Sequence, residues 1–253
     1  MSPDANPDDI RCPLCELRDG SAPFARDEFR EYLLCANCDL VFVPARFHPT
    51  ADAERQRYDL HHNDPADPGY RGFLSALVEP MKARLSPGAE GLDFGCGPTA
   101  ALCSMLEEAG FRMSRYDPFY APERGVLERS YDFVTCTEAA EHFFDPAREW
   151  ALLQRLVRPG GWLGIMTLLR EPDTDFARWW YRRDFTHVAF YSRRTFEWLA
   201  RRDGLALEIH GASVALLGSP AIPPISPECS INPSVLRDPD RIAPVTLAGP
   251  GRN

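Results

Sequence analysis

The chain has 253 residues, of which 44% are hydrophobic and 26% charged, so it is long enough for one globular α/β domain with a small appendage. The formal net charge is -9, from 28 basic and 37 acidic residues, which disfavours a protein that coats nucleic acids or membranes through bulk electrostatics. No apolar run approaches the ~20 residues of a membrane span, and the acidic start MSPDANPDDI lacks the pattern of a signal peptide. We therefore expect a soluble, cytoplasmic protein whose thiols stay reduced.

Composition divides the chain into three predicted parts. Residues 1–48 contain two pairs of cysteines and little helical periodicity, whereas residues 50–218 alternate between helical and strand-like patterns. Residues 219–253 contain eight prolines and no aromatic residue. We expect a small metal-binding module, an α/β domain and a Pro-rich, disordered tail, in that order.

The two cysteine pairs have the spacing of a zinc site. Each pair is a C-x-x-C motif, Cys12 with Cys15 and Cys35 with Cys38, and 19 residues separate the pairs. Two intervening residues let one tight turn point both sulfurs at a single metal ion, and four thiolates fill a tetrahedral shell. We therefore predict a structural zinc ribbon with no open position for water. The remaining cysteines, expected to be packing residues, are Cys96, Cys103, Cys136 and Cys229.

The middle part of the chain alternates helices and strands. Its patterns predict helices at 69–85, 98–109, 146–158 and 193–204, and strands at 91–95, 111–117, 131–137, 161–169 and two within 205–218. Such alternation is typical of a mainly parallel, Rossmann-like α/β sheet. The last two strands are too close for a crossover helix, so we expect them to form an antiparallel hairpin.

The stretch GLDFGCGPTAAL, residues 91–102, places Asp93, Gly95 and Gly97 where a predicted strand ends. Its letters satisfy the dinucleotide fingerprint G-x-G-x-x-A. They equally suit the adenosine-binding loop of a methyltransferase, or a tight turn that binds nothing. An acidic residue is expected after the next strand to hold ribose hydroxyls, and Asp117 is there. The carboxylate of Asp93 favours a cationic amino-acid ligand, because it would repel a pyrophosphate.

Two later segments, YDFVTCTEAAEHFFDP and LVRPGGWLGIMT, resemble the fourth-strand and fifth-strand signatures of the class I S-adenosylmethionine-dependent methyltransferases. The resemblance implies that Asp93, Gly95 and Gly97 bind the methionine end of S-adenosylmethionine and that Asp117 binds its ribose. It also implies that residues 137–142 line the site. Their first members, Thr137 and Glu138, are expected cofactor contacts. Together with the cysteine module, the chain resembles a bacterial subgroup with a zinc ribbon and no settled substrate.

The chain departs from that family in one segment. Only 14 residues separate Asp117 from Asp132, where the family fits a helix and a strand. We therefore expect the third strand or its helix to be shortened or missing, which leaves the adenine contact unassigned. Pro98 also removes one N–H group from the glycine loop.

Methyl transfer to oxygen or nitrogen requires removal of the acceptor's proton, and histidine is the usual base near neutral pH. His187 follows the fifth strand and is the candidate base, and His142 is a candidate orienting or cofactor-side residue. Each could instead be a histidine that is hydrogen-bonded within a loop. Glu138 and Glu141 could hold substrate or cofactor, or be solvated or capping residues.

The segment before the first predicted helix of the α/β domain supplies candidate lid residues, namely Tyr58, His62 and Tyr70. The alternative is that this segment is a polar linker from the zinc module.

Residues 170–202 contain eight arginines with interleaved aromatic residues, a combination that can hold phosphates or stack on bases. The alternative is a solvated face above packed aromatic residues. We predict a methyltransferase that acts on a small acceptor or on one linked to a nucleotide or phosphate, and the net charge of -9 favours a small anionic substrate over a long RNA. The competing hypotheses are an RNA methyltransferase whose ribbon presents the RNA and a non-catalytic binding or scaffold protein. An NAD-linked oxidoreductase ranks last, because no second domain follows to hold a hydride acceptor.

Overall fold

A computed structural model describes residues 10–60 and 64–221 of the chain. The predictions for His62, for Cys229 and for nearly all of the Pro-rich tail concern residues outside these ranges. Within the described ranges, none of the helices is both long enough and apolar enough to cross a membrane.

The chain order of the elements follows the predicted alternation. The strands are β1 (Ser21–Arg26), β2 (Glu31–Cys35), β3 (Val41–Phe42), β4 (Glu90–Phe94), β5 (Arg112–Tyr116), β6 (Tyr131–Thr137), β7 (Val157–Met166), β8 (Ala189–Phe190), β9 (Ala206–His210) and β10 (Val214–Gly218). The helices are α1 (Ala51–Tyr58), α2 (Pro68–Lys82), α3 (Ala101–Glu108), α4 (Pro146–Leu156) and α5 (Arg193–Asp203).

The larger sheet has six strands in the order β5-β4-β6-β7-β10-β9. The pairs β4–β5, β4–β6 and β6–β7 are parallel, whereas β10 is antiparallel to both β7 and β9. This confirms the predicted Rossmann-like, mainly parallel sheet that ends in an antiparallel hairpin. The carboxyl ends of β4, β5 and β6 therefore lie at the same edge of the sheet.

The segment between β5 and β6 contains no strand. Residues 117–130 make a turn closed by the Asp117–Ala121 bridge and then a 3-10 helix at Arg124–Glu128. Strand β5 is consequently an edge strand, and the predicted shortening of this segment is confirmed.

Several elements differ from the predictions. Helix α3 begins at Ala101 rather than Pro98, because Ala100 has a left-handed backbone with φ of 47°. Helix α4 ends at Leu156 and β7 begins at once, since Pro159 disfavours helical backbone in the residue before it. Helix α1 was not predicted, because the segment ADAERQRY has no apolar stripe. The sequence nevertheless has a start signal in Thr50, because threonine is a favoured N-cap residue. In the structure its side chain accepts a hydrogen bond from Ala53 N.

The N-terminal module is joined to the α/β domain by shared structure. Its sheet has the order β1-β2-β3-β8, so its fourth strand comes from residues 189–190. Leu14 and Leu40 of the module belong to the same buried cluster as Trp150, Tyr191 and Phe196. The separation into domains at residues 48–50 stays a prediction, but the hydrophobic core is continuous across it.

The side chain of Arg30 connects the module to the loop before β8. Its guanidinium donates to the backbone carbonyls of four loop residues, with Nη1 3.0 Å from the oxygens of Phe185 and His187. Nη2 donates to the carbonyls of Arg182 and Asp184. Arg30 is only 7% exposed, so these carbonyls take the place of water around its guanidinium. The rigid fork of the guanidinium fixes the course of this loop.

We predict that Arg30→Ala lowers the free energy of unfolding by about 2–4 kcal/mol, because four carbonyls of the loop lose a charged donor. Chemical denaturation measures the change. The matched control is Arg26→Ala, an exposed arginine at the end of β1, which should change stability by less than about 0.5 kcal/mol. Equal effects of the two substitutions would contradict the role assigned to Arg30.

Candidate functional site

A cleft of about 850 Å³ opens at the carboxyl ends of β4, β5 and β6. Its walls are the loops that follow these three strands, together with side chains from α1 and α2. Every predicted cofactor contact lines it, as do both predicted catalytic histidines. These residues are Asp93, Gly95, Gly97, Asp117, Thr137, Glu138, His142 and His187.

The glycine loop presents its backbone to the cleft. Gly95 and Gly97 have left-handed backbones, with φ of 78° and 63°. A Cβ added at Gly95 would lie 2.6 Å from the Cβ of Ala139, whereas one added at Gly97 would meet nothing within 4 Å. Gly95 thus permits close packing of two loops, and Gly97 borders open space. The helix that follows, α3, has no side-chain cap at its N-terminus.

Asp117 organises the end of β5. Its Oδ1 accepts hydrogen bonds from Phe119 N and Tyr120 N, and its Oδ2 accepts one from Gly97 N at 3.1 Å. A carboxylate offers about four acceptor positions, so one remains for a ligand hydroxyl. The predicted ribose contact therefore also fixes the position of the glycine loop.

Asp93 is tied to neighbouring elements and is only 2% exposed. Its carboxylate accepts a hydrogen bond from Thr135 Oγ1 at 2.8 Å and lies 3.8 Å from Cys103 Sγ. Burial raises the pKa of Asp93 to about 6, which weakens its negative charge near neutral pH. Its predicted role at a ligand ammonium stays a prediction.

The end of β6 and the loop that follows it contain two further predicted contacts. Within the described part of the chain, Thr137 Oγ1 is buried and has no hydrogen-bond partner. Glu138 has a left-handed backbone, with φ of 48°, and its side chain is exposed in the cleft. Partial desolvation within the cleft raises the pKa of Glu138, and the negative charge of Glu141 raises it further.

Two histidines and one glutamate converge at one end of the cleft. His142 Nδ1 lies 3.1 Å from the carbonyl oxygen of Thr186, and His187 Nδ1 lies 2.7 Å from that of Tyr181. A carbonyl only accepts, so each ring carries its proton on Nδ1 and has a lone pair on Nε2. Glu141 is fully buried, and its Oε1 accepts a hydrogen bond from Tyr181 Oη at 2.6 Å.

The three side chains lie close enough to act on one ligand. One potential ligand atom from each of Glu141, His142 and His187 lies within 4.8 Å of the other two. Burial lowers the pKa of His187 to about 4, so its ring is neutral at physiological pH. The sequence identified both histidines as candidates, but Tyr181 was missed because it lies in a loop without a motif.

Two of the candidate lid residues lie at the cleft. Tyr58 packs edge-on against His142, with ring centroids 5.1 Å apart, and Tyr70 also lines the cleft. Helix α1 thus covers the histidine end of the cleft, instead of being only a linker.

None of the eight arginines of residues 170–202 lines the cleft. The arginines in its lining are Arg124 and Arg148. Three of the eight form ion pairs with the N-terminal module instead, among them Arg194, which lies 3.7 Å from Asp39. Arg170 lies 2.6 Å from Asp39, and Arg182 lies 2.6 Å from Asp27. These two are therefore engaged in binding the module rather than available to an anionic acceptor in the cleft.

The four predicted metal ligands form a second cluster, distant in sequence from the cleft residues. The Sγ atoms of Cys12 and Cys38 are 3.5 Å apart, those of Cys15 and Cys35 are 3.4 Å apart, and all four lie within 4.8 Å of one another. These are free thiols at a separation far longer than a disulfide bond. The structure therefore brings all four predicted ligands together.

The two halves of this cluster are built alike, from CPLCEL (12–17) and CANCDL (35–40). In each, the first cysteine's N–H donates to the carbonyl of the closing leucine, and its carbonyl accepts from the acidic residue. Those acidic residues, Glu16 and Asp39, have left-handed backbones with φ of 57° and 59°. Similar hexapeptides thus form two equivalent turns that face one point.

The comparisons with known proteins identify one family. Its model, described as a methyltransferase domain, matches residues 67–209, which is more than half of the chain.

Curated relatives include two ubiquinone biosynthesis O-methyltransferases. That of Sodalis glossinidius is 35% identical over 96 residues, or 38% of each chain. That of Aeromonas salmonicida is 35% identical over 102 residues, or 40% of this chain and 42% of the relative. The chain thus spans less than half the length of these two relatives.

Solved structures with a similar fold include an O-methyltransferase family protein from Burkholderia thailandensis. It has a TM-score of 0.44 and 17% identity, over 66% of this chain and 63% of that one. The 1,6-didemethyltoxoflavin-N1-methyltransferase of the same organism, solved with S-adenosylhomocysteine, has a TM-score of 0.43 and 15% identity, over 79% and 99% of the two chains.

The glycine loop yields a stability prediction. Gly97→Ala should cost about 1–2 kcal/mol, the price of a left-handed non-glycine residue. Gly95→Ala should cost more, because its Cβ also meets Ala139. Adding Ala139→Gly to Gly95→Ala should recover the difference. Thermal or denaturant unfolding measures all three variants, and a double variant no more stable than Gly95→Ala would contradict this packing.

Proposed function

Because the chain belongs to the family of methyltransferase domains, we propose that it transfers a methyl group from S-adenosylmethionine to a hydroxyl group of a small, largely aromatic or apolar molecule. The observation that carries the proposal is the juxtaposition, in one cleft, of a glycine loop fit for the cofactor and a histidine cluster fit for a hydroxyl group.

The residues of the cleft fit the cofactor. The open space beside Gly97 admits a ligand against the backbone, and the orphaned Oγ1 of Thr137 needs a partner that a polar ligand supplies. Asp117 has an acceptor position left for a ribose hydroxyl. When bound, S-adenosylmethionine supplies a methyl group on a sulfonium, which is activated for in-line displacement. The protein's part is to hold the acceptor oxygen in line with that methyl group.

The lining of the cleft is rich in aromatic residues and contains one polar cluster. The aromatic residues of the lining include Tyr58, Tyr70, Phe73, Phe119, Phe143 and Phe144. Such a surface suits a flat, apolar molecule. At the polar end, the Nε2 lone pair of His187, the candidate base, would accept the hydrogen bond of the acceptor's hydroxyl group. The names of the curated relatives, which are O-methyltransferases, support oxygen as the methylated atom.

A phosphate-linked acceptor is the second candidate, and one observation favours it. Arg124 and Arg148 both line the cleft. Arginine binds phosphate through paired hydrogen bonds, so an acceptor with a phosphate group would find its partners there.

We further propose that the four cysteines bind one structural zinc ion. Zinc–thiolate bonds of about 2.3 Å in a tetrahedron place sulfurs about 3.8 Å apart, and the Sγ separations of 3.4 Å and 3.5 Å fall close to this. Four sulfur donors leave no position for water, so zinc would hold the two turns together without taking part in methyl transfer.

We expect S-adenosylhomocysteine to bind in the micromolar range and NAD not to bind, as measured by calorimetric titration. Asp117→Asn should weaken the binding of S-adenosylhomocysteine about tenfold, through loss of a charged acceptor for the ribose. The matched control is Glu107→Gln, an exposed acid on α3, which should bind like the unchanged protein. Absence of binding by the unchanged protein would refute the methyltransferase and favour the scaffold hypothesis.

We also expect one zinc ion per chain by elemental analysis. Cys38→Ser should lose the metal and lower the melting temperature of the whole protein, because the cysteines share a core with the α/β domain. Cys96→Ser, which alters a cysteine outside the cluster, should keep the zinc content. A zinc content well below one per chain in the unchanged protein would exclude the ribbon.

A further inference from the structure

We propose that Glu141, His142 and His187 form a second metal site, which binds one divalent transition-metal cation in the cleft. The site is separate from the four cysteines, and its donors are one carboxylate oxygen and two imidazole nitrogens.

The carboxylate oxygen carries the first argument. Glu141 is fully buried, and its Oε1 accepts from Tyr181, but its Oε2 has no hydrogen-bond partner among the described residues. A buried carboxylate oxygen without a partner costs free energy, and such charges are normally paired or bound to a metal ion. A cation between Glu141 and the two histidines would supply the missing partner.

The histidines are oriented as metal ligands are. The Nδ1–H of His142 donates to the carbonyl of Thr186, and that of His187 donates to the carbonyl of Tyr181. A backbone carbonyl at one ring nitrogen fixes the tautomer and aims the other nitrogen, the usual outer-shell arrangement of a ligating histidine. Tyr181 serves two ligands at once, because its hydroxyl group also holds Glu141.

The spacing fits a single ion. One donor atom from each residue lies within 4.8 Å of the other two, whereas donors bound at about 2.1 Å from one ion lie at most about 4.2 Å apart. Small rotations of the side chains would close the difference. The imidazole rings of His142 and His187 are in edge-to-face contact, with centroids 4.8 Å apart and an interplanar angle of 71°.

The donor set selects the class of metal. Two imidazoles and one carboxylate suit Zn²⁺, Fe²⁺, Co²⁺ or Ni²⁺, whereas Ca²⁺ and Mg²⁺ prefer oxygen ligands alone. Three protein ligands also leave positions open, unlike the closed shell of four thiolates. All three residues line the cleft, so an open position would face the acceptor. In this last respect the inference rests on the proposed function, because the cation would occupy the Nε2 lone pairs and bind the acceptor's oxygen in place of the hydrogen bond described above.

The test uses full-length protein prepared with one zinc ion per chain in the cysteine cluster. Calorimetric titration with Co²⁺ should show one further cation per chain, while elemental analysis shows that the original zinc is retained. Glu141→Gln and His142→Ala should each weaken this binding at least about tenfold, and Tyr181→Phe should do so by about tenfold. His142 is partly exposed, so its replacement keeps the test valid if the variant at Glu141 fails to fold. The control His210→Ala alters a histidine at the end of β9, away from the cluster, and should bind Co²⁺ unchanged.

The outcomes separate this inference from the proposed function. Binding of S-adenosylhomocysteine is measured on the same preparations. If that ligand binds and Co²⁺ does not, or if Co²⁺ only displaces the original zinc, the second site is refuted and the methyltransferase stands. Cobalt binding that is unchanged in Glu141→Gln, in His142→Ala and in Tyr181→Phe would also refute the assignment. Cobalt binding that is lost in those variants supports the site even if S-adenosylhomocysteine fails to bind.

Discussion

The guanidinium group of Arg30 is the contact on which the placement of the cleft's histidine end depends. It arises from the N-terminal hairpin, yet it binds four carbonyl groups of the loop that carries His187. All four acceptors are backbone oxygens, so these hydrogen bonds hold the loop through its main chain. The module is therefore more than an appendage, because the position of a candidate site residue is set by a side chain that the module contributes.

Other contacts between the module and the α/β domain reinforce this dependence. Asp39, in the second cysteine turn, accepts hydrogen bonds from Arg170 and from Ser192, the residue that caps α5. Pro13, in the first turn, accepts a hydrogen bond from Ala147 at the start of α4. A metal ion that fixes the two turns would thus fix the starts of two helices in the neighbouring domain. Here the metal's structural influence would extend well past its ligands.

Sequence patterns sufficed for the features that depend on local chemistry. The alternation of strands and helices, the hairpin at the end of the sheet and the missing strand after Asp117 are confirmed. So is the methyltransferase family, through the match over residues 67–209. The features that could not be predicted are long-range. Arg170 and Arg182 appeared to be a surface patch, but they meet acids more than a hundred residues away in sequence. Nothing local distinguishes an arginine that binds a ligand from one that binds another part of the same chain.

The same limit applied to the histidine cluster. Both histidines were identified because of where strands end, but their meeting with Glu141 and Tyr181 depends on the path of the loop over residues 167–187. That path is set by Arg30, whose position in sequence gave no sign of it. Helix α1 was missed for a related reason, since its polar surface makes no periodic pattern and its place over the cleft is a tertiary property.

The fourth strand of the N-terminal sheet has a consequence for the order of assembly. The two cysteine turns precede the α/β domain in the chain, but β8 and the carbonyls that Arg30 binds follow much later, with Arg30 and His187 157 residues apart. Contacts of such separation form late in folding, because closing long loops is entropically costly. During synthesis, therefore, the cysteine module is made before β8 can pair with β3 and before Arg30 can bind the carbonyls of the loop. It is completed only when the domain that it supports is almost fully made.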